Sequence, residues 1–308
     1  MTLILSQLNN LPCIQGLGKV KSCHNFKFLS PIQFLPYIHL ARLHRPIGIW
    51  LLLWPCFCGL AISHGSLFDY ILFFIGAVTL RSAGCVINDL VDKDIDTKVE
   101  RTKSRPLAAN LLTKTQAYIF LSFLLSIGAC IWILLSPAAK CISVVAAILM
   151  VIYPFMKRFT FWPQLFLGFT FNIGLLIAIA HVSTLTFSWQ LLCLFASLVL
   201  WTIFYDTIYA FADISDDLKA NVKSTAIVMR HAPKTWLTCI NLLLHITLLI
   251  FFEINGIIPI SIGFLFLQRL LSQWNPNDAK NSIKIFGLCH FWGLIEWLWL
   301  EAIRVISP

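Results

Sequence analysis

Asn88, Asp92 and Asp96 recur at four-residue steps in NDLVDKDID, and Asp206, Tyr209, Asp213 and Asp217 follow one another at steps of three, four and four in YDTIYAFADISDD. On a helix each set shares one face, because residues three and four apart stack above one another. Like charges so arranged repel, and a helix that gathers them calls for a compensating cation. Carboxylates and an amide offer oxygen donors only, which suits magnesium. Basic residues stand close in sequence: Arg101 and Arg105 after the first set, Lys219 and Lys223 after the second, Lys157 and Arg158 between them. Carboxylates that hold a divalent metal, with Lys and Arg to neutralise the remaining oxygens, are what a diphosphate requires. A solvated loop that merely orients the chain would explain either set alone; two sets at helical spacing, each with basic companions, favour a shared site.

The elements that must position these residues are apolar. Hydrophobic residues make up 58% of the 308 positions and charged ones 12%, at a mean hydropathy of +0.81, whereas a soluble domain carries about 25% charged residues. The apolar runs approach the roughly 20 residues that a helix needs to cross a bilayer. An all-α polytopic membrane protein is predicted, with nine spans at about 47–63, 67–87, 116–135, 141–156, 161–183, 188–210, 235–252, 254–273 and 283–303. Ten formal charges lie between Asp89 and Arg105, and placing all of them at the bilayer centre would cost on the order of 25–35 kcal/mol. That loop must lie at an aqueous surface or line a polar cavity.

Positive charge collects on the inner side of membrane proteins. With the N-terminus inside, nine spans leave only Lys140 and Arg304 for the outer side, among residues from Lys19 onward. The net charge of +9 is then an orientation signal and gives no reason to invoke nucleic acid. Four spans separate the two acidic sets, an even number, so both face the same side. The ten cysteines form no framework: most fall inside predicted spans (Cys56, Cys58, Cys85, Cys130, Cys193, Cys239, Cys289), with no CxxC, and read as small buried hydrophobes. Residues 1–36 contain no Asp or Glu and also no Arg; they read as an inner-side tail or a mitochondrial transit segment ahead of a membrane-embedded domain over 37–308. A diphosphate site at the mouth of a lipid-embedded bundle suits a diphosphate that carries a long hydrocarbon chain.

NDLVDKDID resembles the NDxxDxxxD signature of the UbiA-type aromatic prenyltransferase superfamily, and YDTIYAFADISDDLKANVKSTA is similar to the second motif of its 4-hydroxybenzoate polyprenyltransferase branch. The resemblance extends through RLHRPIGIWLLLWP (Arg42 to Pro55), RSAGCVIND (Arg81 to Asp89), RTKSRPL (Arg101 to Leu107), YPFMKRFTFWPQLFLG (Tyr153 to Gly168) and EING (Glu253 to Gly256), covering most of the chain after Pro36. It implies nine helices around a central cavity open to lipid, in a bacterial or mitochondrial inner membrane, with the site on the cytoplasmic or matrix side. It assigns Mg2+ and diphosphate to Asn88, Asp92, Asp96, Asp213 and Asp217, and contact with the diphosphate or closure over it to Arg101, Arg105, Lys157, Arg158 and Lys223. Asp206, Tyr209 and Lys219 belong to the same substrate-binding segment. Ile214 stands where a basic residue is common and Asn221 where Gly is usual.

The chemistry so implied is electrophilic aromatic substitution. Metal and basic residues stabilise the departing diphosphate, the allylic C1 of a polyprenyl diphosphate gains carbocation character in a water-poor pocket, and a phenol ring attacks through the carbon ortho to its hydroxyl. For 4-hydroxybenzoate, Arg42 and Arg81 are candidates for the carboxylate, since neither has an acidic partner nearby in sequence, although an orienting role accounts for each as well; Tyr153 and Tyr209 would border the path of the cation. Other acceptors of the superfamily, in menaquinone, haem, chlorophyll or tocopherol prenylation, remain alternatives to ubiquinone biosynthesis, as does a polytopic transporter. A transporter would more often place its charges on paired broken helices at the bilayer midplane. Asp94 points away from the acidic stripe and is expected to be solvated. His245, His290, Glu296 and Glu301 carry no assigned role.

Overall fold

The computed structural model describes residues 31–97, 102–219, 223–252 and 256–306, apart from the side chains of residues 31–33, 95, 154, 216 and 219. Two compact units divide the chain, Met1–Leu35 and Pro36–Pro308, and the helical bundle belongs to the second. Among the described residues every regular element is helical. After α1 (Pro31–Leu40) come α2 (Ile47–Ile62), α3 (Leu67–Val91), the short α4 (Lys93–Asp96), α5 (Lys114–Leu134), α6 (Pro137–Phe159), α7 (Pro163–Val182) and α8 (Trp189–Ala210). The short α9 (Ile214–Lys219) and α10 (Thr225–Met229) lead to α11 (Pro233–Phe252), α12 (Ile257–Gln273) and α13 (Ala279–Ile306).

Local sequence fixes where these helices start. Ser66 and Thr113 open α3 and α5 with reciprocal capping boxes to Asp69 and Gln116, each satisfying two backbone donors that a helix start leaves unpaired. Ser136 caps α6, Ser188 caps α8, and Pro137 and Pro163 occupy first turns where no N–H is missed. Each predicted span coincides with a helix, the largest differences being four residues, at Val91, Pro137 and Ala279. By length and composition six of the described helices are long and apolar enough to cross a bilayer, and Ile47–Ile62, Pro137–Tyr153 and Ile257–Gln273 are shorter apolar segments. The chain is thus a multi-pass α-helical membrane protein.

Packing follows chain order. α2 lies against α3, α3 against α5, α6 against α7, α7 against α8, α8 against α11, α11 against α12, α12 against α13, and α13 returns to α2. α7 also crosses to α2, where a side chain at Gly59 would sit 2.5 Å from the Leu175 carbonyl oxygen. Apolar lipid gives helices little reason to associate, so close backbone approach and interhelical hydrogen bonds carry the contact. At the α7–α8 crossing the buried Asn172 amide donates to Leu198 O (3.1 Å) and Thr202 Oγ1 (2.8 Å). Ile119 and Phe123 on α5, with Val145, Ile148 and Val151 on α6, are exposed, as a lipid-facing surface requires.

Cys56, Cys58, Cys85, Cys193 and Cys289 are buried as expected, but Cys130 and Cys239 lie on the exposed face of their helices. Their expected burial is corrected because position in a bundle follows helix face and not hydropathy alone. Arg42, expected to lack an acidic partner, has one after all: Asp89, invisible as such in sequence because it lies 47 residues away.

Candidate active site at the aspartate end of the bundle

The first acidic segment straddles a helix end. α3 stops at Val91 with Asp92 as its cap, yet Asp92 N–H donates to Asn88 O (2.9 Å) and Asp96 N–H to Asp92 O (2.8 Å). The four-residue step therefore survives the break, and Asn88, Asp92 and Asp96 keep their register. Their depths differ: Asn88 is exposed, Asp92 half-buried and Asp96 buried. Asp94 is exposed, in keeping with the solvated role expected of it.

Asp89, one residue off that stripe, is 1% exposed. Its Oδ1 accepts from the Arg42 guanidinium at 2.8 Å and lies 3.3 Å from Arg105 Nη1, which in turn reaches Asp96 Oδ2 at 2.8 Å. Asp89 Oδ2 is buried and meets no donor among the described residues. Arg42 adopts φ 57°, a left-handed conformation that costs a non-glycine residue about 1–3 kcal/mol. The turn that imposes it, with Arg42 N–H bonded to His39 O and Arg45 N–H to Arg42 O, aims the guanidinium at Asp89. Beside it, partial burial first and then the neighbouring His39 and Arg45 push the His44 pKa below the ordinary imidazole range, so at neutral pH this turn owes its charge to arginine. Steps of four residues do not reach Asp89; the second letter of the NDxxDxxxD signature is the one sequence signal for it.

A second group lies deeper along the same helix. Arg81 precedes Asp89 by eight residues on α3, and Lys157 and Arg81 are the cations whose charge acts on Asp206, on α8. Asp206, Arg81 and Tyr209 likewise act on Tyr153, at the end of α6. Arg81, Tyr153, Asp206 and Tyr209 are all half-buried. Arg81 is laid against α2: a Cβ on Gly48 would collide with its Nε, so the missing side chain at Gly48 is what admits the guanidinium. The Tyr209 ring packs on Phe286 at 4.8 Å. Arg81 thus packs the helix of the first acidic segment against α2.

In the second segment the 213–217 step survives, with Asp217 N–H bonded to Asp213 O (2.9 Å), whereas α8 ends at Ala210 and Asp213 N–H bonds to Ala210 O (3.2 Å) in place of Tyr209 O, so the 209–213 step does not. Its far end is stitched down by three contacts. Lys223 N–H donates to Lys157 O (3.1 Å), Thr225 N–H donates to Gln164 Oε1 (3.2 Å), and the Thr225 and Thr207 hydroxyls share a 2.7 Å hydrogen bond. Gln164 explains why KSTA and YPFMKRFTFWPQ go together, the first supplying the donors and the second the acceptors, and Thr207 ties KSTA to the YDTIYA stretch of its own motif. The Lys223 ammonium donates to Phe159 O (3.3 Å) and lies over the Phe161 ring, and Arg158 lies over Phe155. Both placements suit residues that close a loop. Arg101, Asn221, Glu253 and the Lys219 side chain lie outside the described residues.

Among the described residues no three carboxylates, thiols or imidazoles converge as a ready cage for a metal ion. The donor set nevertheless fits magnesium, which keeps several waters and is bound through one or two carboxylates together with substrate phosphates. Each acidic segment offers such a pair, all oxygen.

The model of the UbiA prenyltransferase family matches residues 52–295. The mitochondrial 4-hydroxybenzoate polyprenyltransferase of Arabidopsis thaliana is 48% identical over 224 residues, 71% of this chain and 55% of its own length. That of Caenorhabditis elegans is 43% identical over 73% of this chain and 64% of its own length, and the 4-hydroxybenzoate octaprenyltransferase of Shewanella halifaxensis (strain HAW-EB4) is 44% identical over 62% and 68%. The chain spans little more than half to about two thirds of the length of these curated relatives. Among solved structures, a UbiA homolog from Aeropyrum pernix K1 superposes with a TM-score of 0.64 at 22% identity, covering 84% of this chain and 96% of that one. One from Archaeoglobus fulgidus bound to GPP and Mg2+ gives 0.64 at 14% identity, over 87% and 99%. At these identities the likeness is one of fold.

Proposed function

Because the chain belongs to the UbiA prenyltransferase family, we propose that it is a Mg2+-dependent 4-hydroxybenzoate polyprenyltransferase of ubiquinone biosynthesis, which moves a polyprenyl group from its diphosphate to the ring carbon ortho to the acceptor's hydroxyl. The carrying observation is the half-buried Arg81, laid against Gly48 and borne on the same helix that ends in Asp89, Asp92 and Asp96, together with the half-buried Tyr153, Asp206 and Tyr209 and the exposed Lys157. Asn88, Asp92, Asp96, Asp213 and Asp217 would hold Mg2+, which when bound neutralises diphosphate oxygens and eases their departure. Lys157, Arg105 and Arg101 add fixed positive charge for the same oxygens, and Arg158, Lys219 and Lys223 close the loops above them. The prenyl tail lies among the helices, where water is scarce and the allylic cation is protected. Tyr153 and Tyr209 present ring faces along its path.

The acceptor carboxylate falls to Arg81 in preference to Arg42. Arg42 is committed to the buried Asp89 at 2.8 Å, whereas Arg81 meets Asp206 only through space, without a direct ion pair among the described residues. A benzoate supplies that missing partner; a neutral acceptor would not. The orientation that fits the charge distribution is N-inside with nine spans, residues 1–36 preceding an embedded domain over 37–308, in an inner membrane with the site on the cytoplasmic or matrix side. Proteoliposomes given a polyprenyl diphosphate, Mg2+ and, in parallel, 4-hydroxybenzoate, 1,4-dihydroxy-2-naphthoate and homogentisate test the assignment by mass spectrometry of the lipid extract. Product from 4-hydroxybenzoate is expected. Product from another acceptor with none from 4-hydroxybenzoate would refute it.

A further inference from the structure

Arg105 stands where two demands conflict. Its Nη1 lies 2.8 Å from Asp96 Oδ2 and 3.3 Å from Asp89 Oδ1, and both carboxylates are nearly out of contact with solvent. Arg42 shares Asp89 from the other side at 2.8 Å. Two guanidinium groups and two carboxylates make a set of zero net charge in which Asp96 already has a cation. A divalent ion cannot take Asp96 Oδ2 while a guanidinium holds it, and at the other oxygen of the same carboxylate it would face that guanidinium at a few ångströms, where like charges repel strongly if water is excluded. Arg105 sits on a different segment from Asp96, nine residues along, and Thr102 Oγ1 bonds back to Asp96 O at 3.1 Å. The turn that carries Arg105 is therefore hinged on the acidic segment itself. Asp89 is buried and already faces two guanidinium groups through Oδ1, so a divalent ion at its remaining oxygen would meet their repulsion too.

We propose that Arg105 is an internal counter-ion for Asp96, an ionic latch that keeps the acidic segment neutral until a divalent metal arrives together with a diphosphate able to take over the guanidinium. Metal alone displaces Arg105 into no compensating anion and binds weakly. Metal with diphosphate offers Arg105 a bidentate oxyanion in exchange for Asp96, a geometry that a planar guanidinium fits well. The two ligands become coupled through one side chain, and each strengthens the other. Asp89 acts as the post on which Arg105 stays positioned during the exchange. The latch rests on the metal-binding role proposed above for Asp92 and Asp96.

The test uses the full chain in nanodiscs, with Mn2+ as the metal probe, read from the EPR signal of the free ion, and inorganic pyrophosphate as the anion probe in the presence of excess Mn2+. Arg105→Gln is expected to bind Mn2+ alone at least about fivefold tighter than the unaltered chain, the lower end of ordinary coupling, and to bind pyrophosphate about tenfold more weakly. Loss of a merely structural contact would weaken both ligands together. Arg105→Lys keeps the charge without the fork, and serves where Arg105→Gln fails to fold; a smaller shift in the same opposed directions is expected. Mn2+ binding that is unchanged or weaker in the variants, while the unaltered chain binds it and Asp96→Asn does not, overturns the latch and leaves the metal site standing. No Mn2+ binding to the folded unaltered chain, with or without pyrophosphate, overturns the metal reading and the latch with it.

Discussion

The two ends of the bundle both carry ionised side chains, and they treat them differently. At the end away from the aspartate segments Asp69, Glu301 and Arg304 are each closed by protein. Asp69 completes the capping box of α3, accepting from Ser66 N–H and Oγ at 2.7 Å, and its other oxygen meets His181 Nε2 at 3.2 Å. His181 Nδ1 accepts from Ser136 N–H at 3.2 Å, so the Nε2 proton that faces Asp69 is present in the neutral ring and the contact needs no net charge. Tyr70 donates to Glu301, Glu301 pairs with Arg304 at 3.5 Å, and Arg304 donates to Gly65 O at 3.0 Å. These contacts tie the starts of α3 and α6 to the ends of α7 and α13. At the aspartate end Asn88, Lys157 and Arg158 are exposed, Asp92 and Asp206 half-buried, and Arg81 faces a carboxylate it does not touch. Charge that protein partners close serves as a staple. The aspartate end has its own paired set in Arg42, Asp89, Arg105 and Asp96, but charge without such a staple, as on Arg81, is available to a ligand.

That contrast breaks most sharply in paired substitutions. Asp92→Ala and Asp213→Ala are each expected to lower prenyl-transfer turnover by about 10²-fold or more, the scale for losing one electrostatic contact to developing charge, with the melting temperature little changed. Asp69→Ala is expected to do the reverse: turnover within about twofold of the unaltered chain, and stability lower by about 0.5–2 kcal/mol for the lost cap. Steady-state assays beside thermal melts decide it, and a turnover collapse in Asp69→Ala would erase the distinction between the ends.

Arg81→Ala comes next in size. A charge-assisted hydrogen bond contributes about 1.5–3 kcal/mol, so KM for 4-hydroxybenzoate is expected to rise roughly tenfold or more, with KM for the prenyl diphosphate nearly constant. Gly48→Ala should move the same parameter in the same direction by less, since the new methyl displaces the guanidinium without removing it. Equal effects on both substrates would place Arg81 with the diphosphate instead. Smallest is Thr225→Val, which removes the hydroxyl pairing with Thr207 and is expected to lower stability by about 1 kcal/mol, while raising KM for the prenyl diphosphate modestly through a looser 210–224 segment. Denaturation melts and substrate titrations measure the two effects separately.

Much of this is legible in the sequence because the bilayer makes hydropathy a strict guide: each of the nine predicted spans meets a helix, and the four-residue steps of the first acidic set, with the 213–217 step of the second, survive as backbone hydrogen bonds. What sequence hides is pairing across the fold. Arg42 looks unpartnered because Asp89 lies 47 residues away at the end of α3, and Asp89 itself escapes notice because it falls one residue off the acidic stripe. Gln164 and Thr207 are ordinary polar residues in apolar stretches, and only tertiary packing shows them holding Thr225. Gly48 gives no sign at all, since its role is the absence of a side chain where Arg81 lies.

The most direct test of a metal-dependent site confined to one end is sealed proteoliposomes of known orientation, supplied with prenyl diphosphate, 4-hydroxybenzoate and Mg2+ on both sides, with a membrane-impermeant chelator added to one side only. Orientation is read from epitopes inserted after Asn110, next to the first acidic segment, or after Thr184, at the opposite end. Prenylated product is expected to vanish when the chelator shares a side with the Asn110 epitope and to persist when it shares a side with the Thr184 epitope. Loss of product only with the chelator on the Thr184 side would contradict a site at the aspartate end.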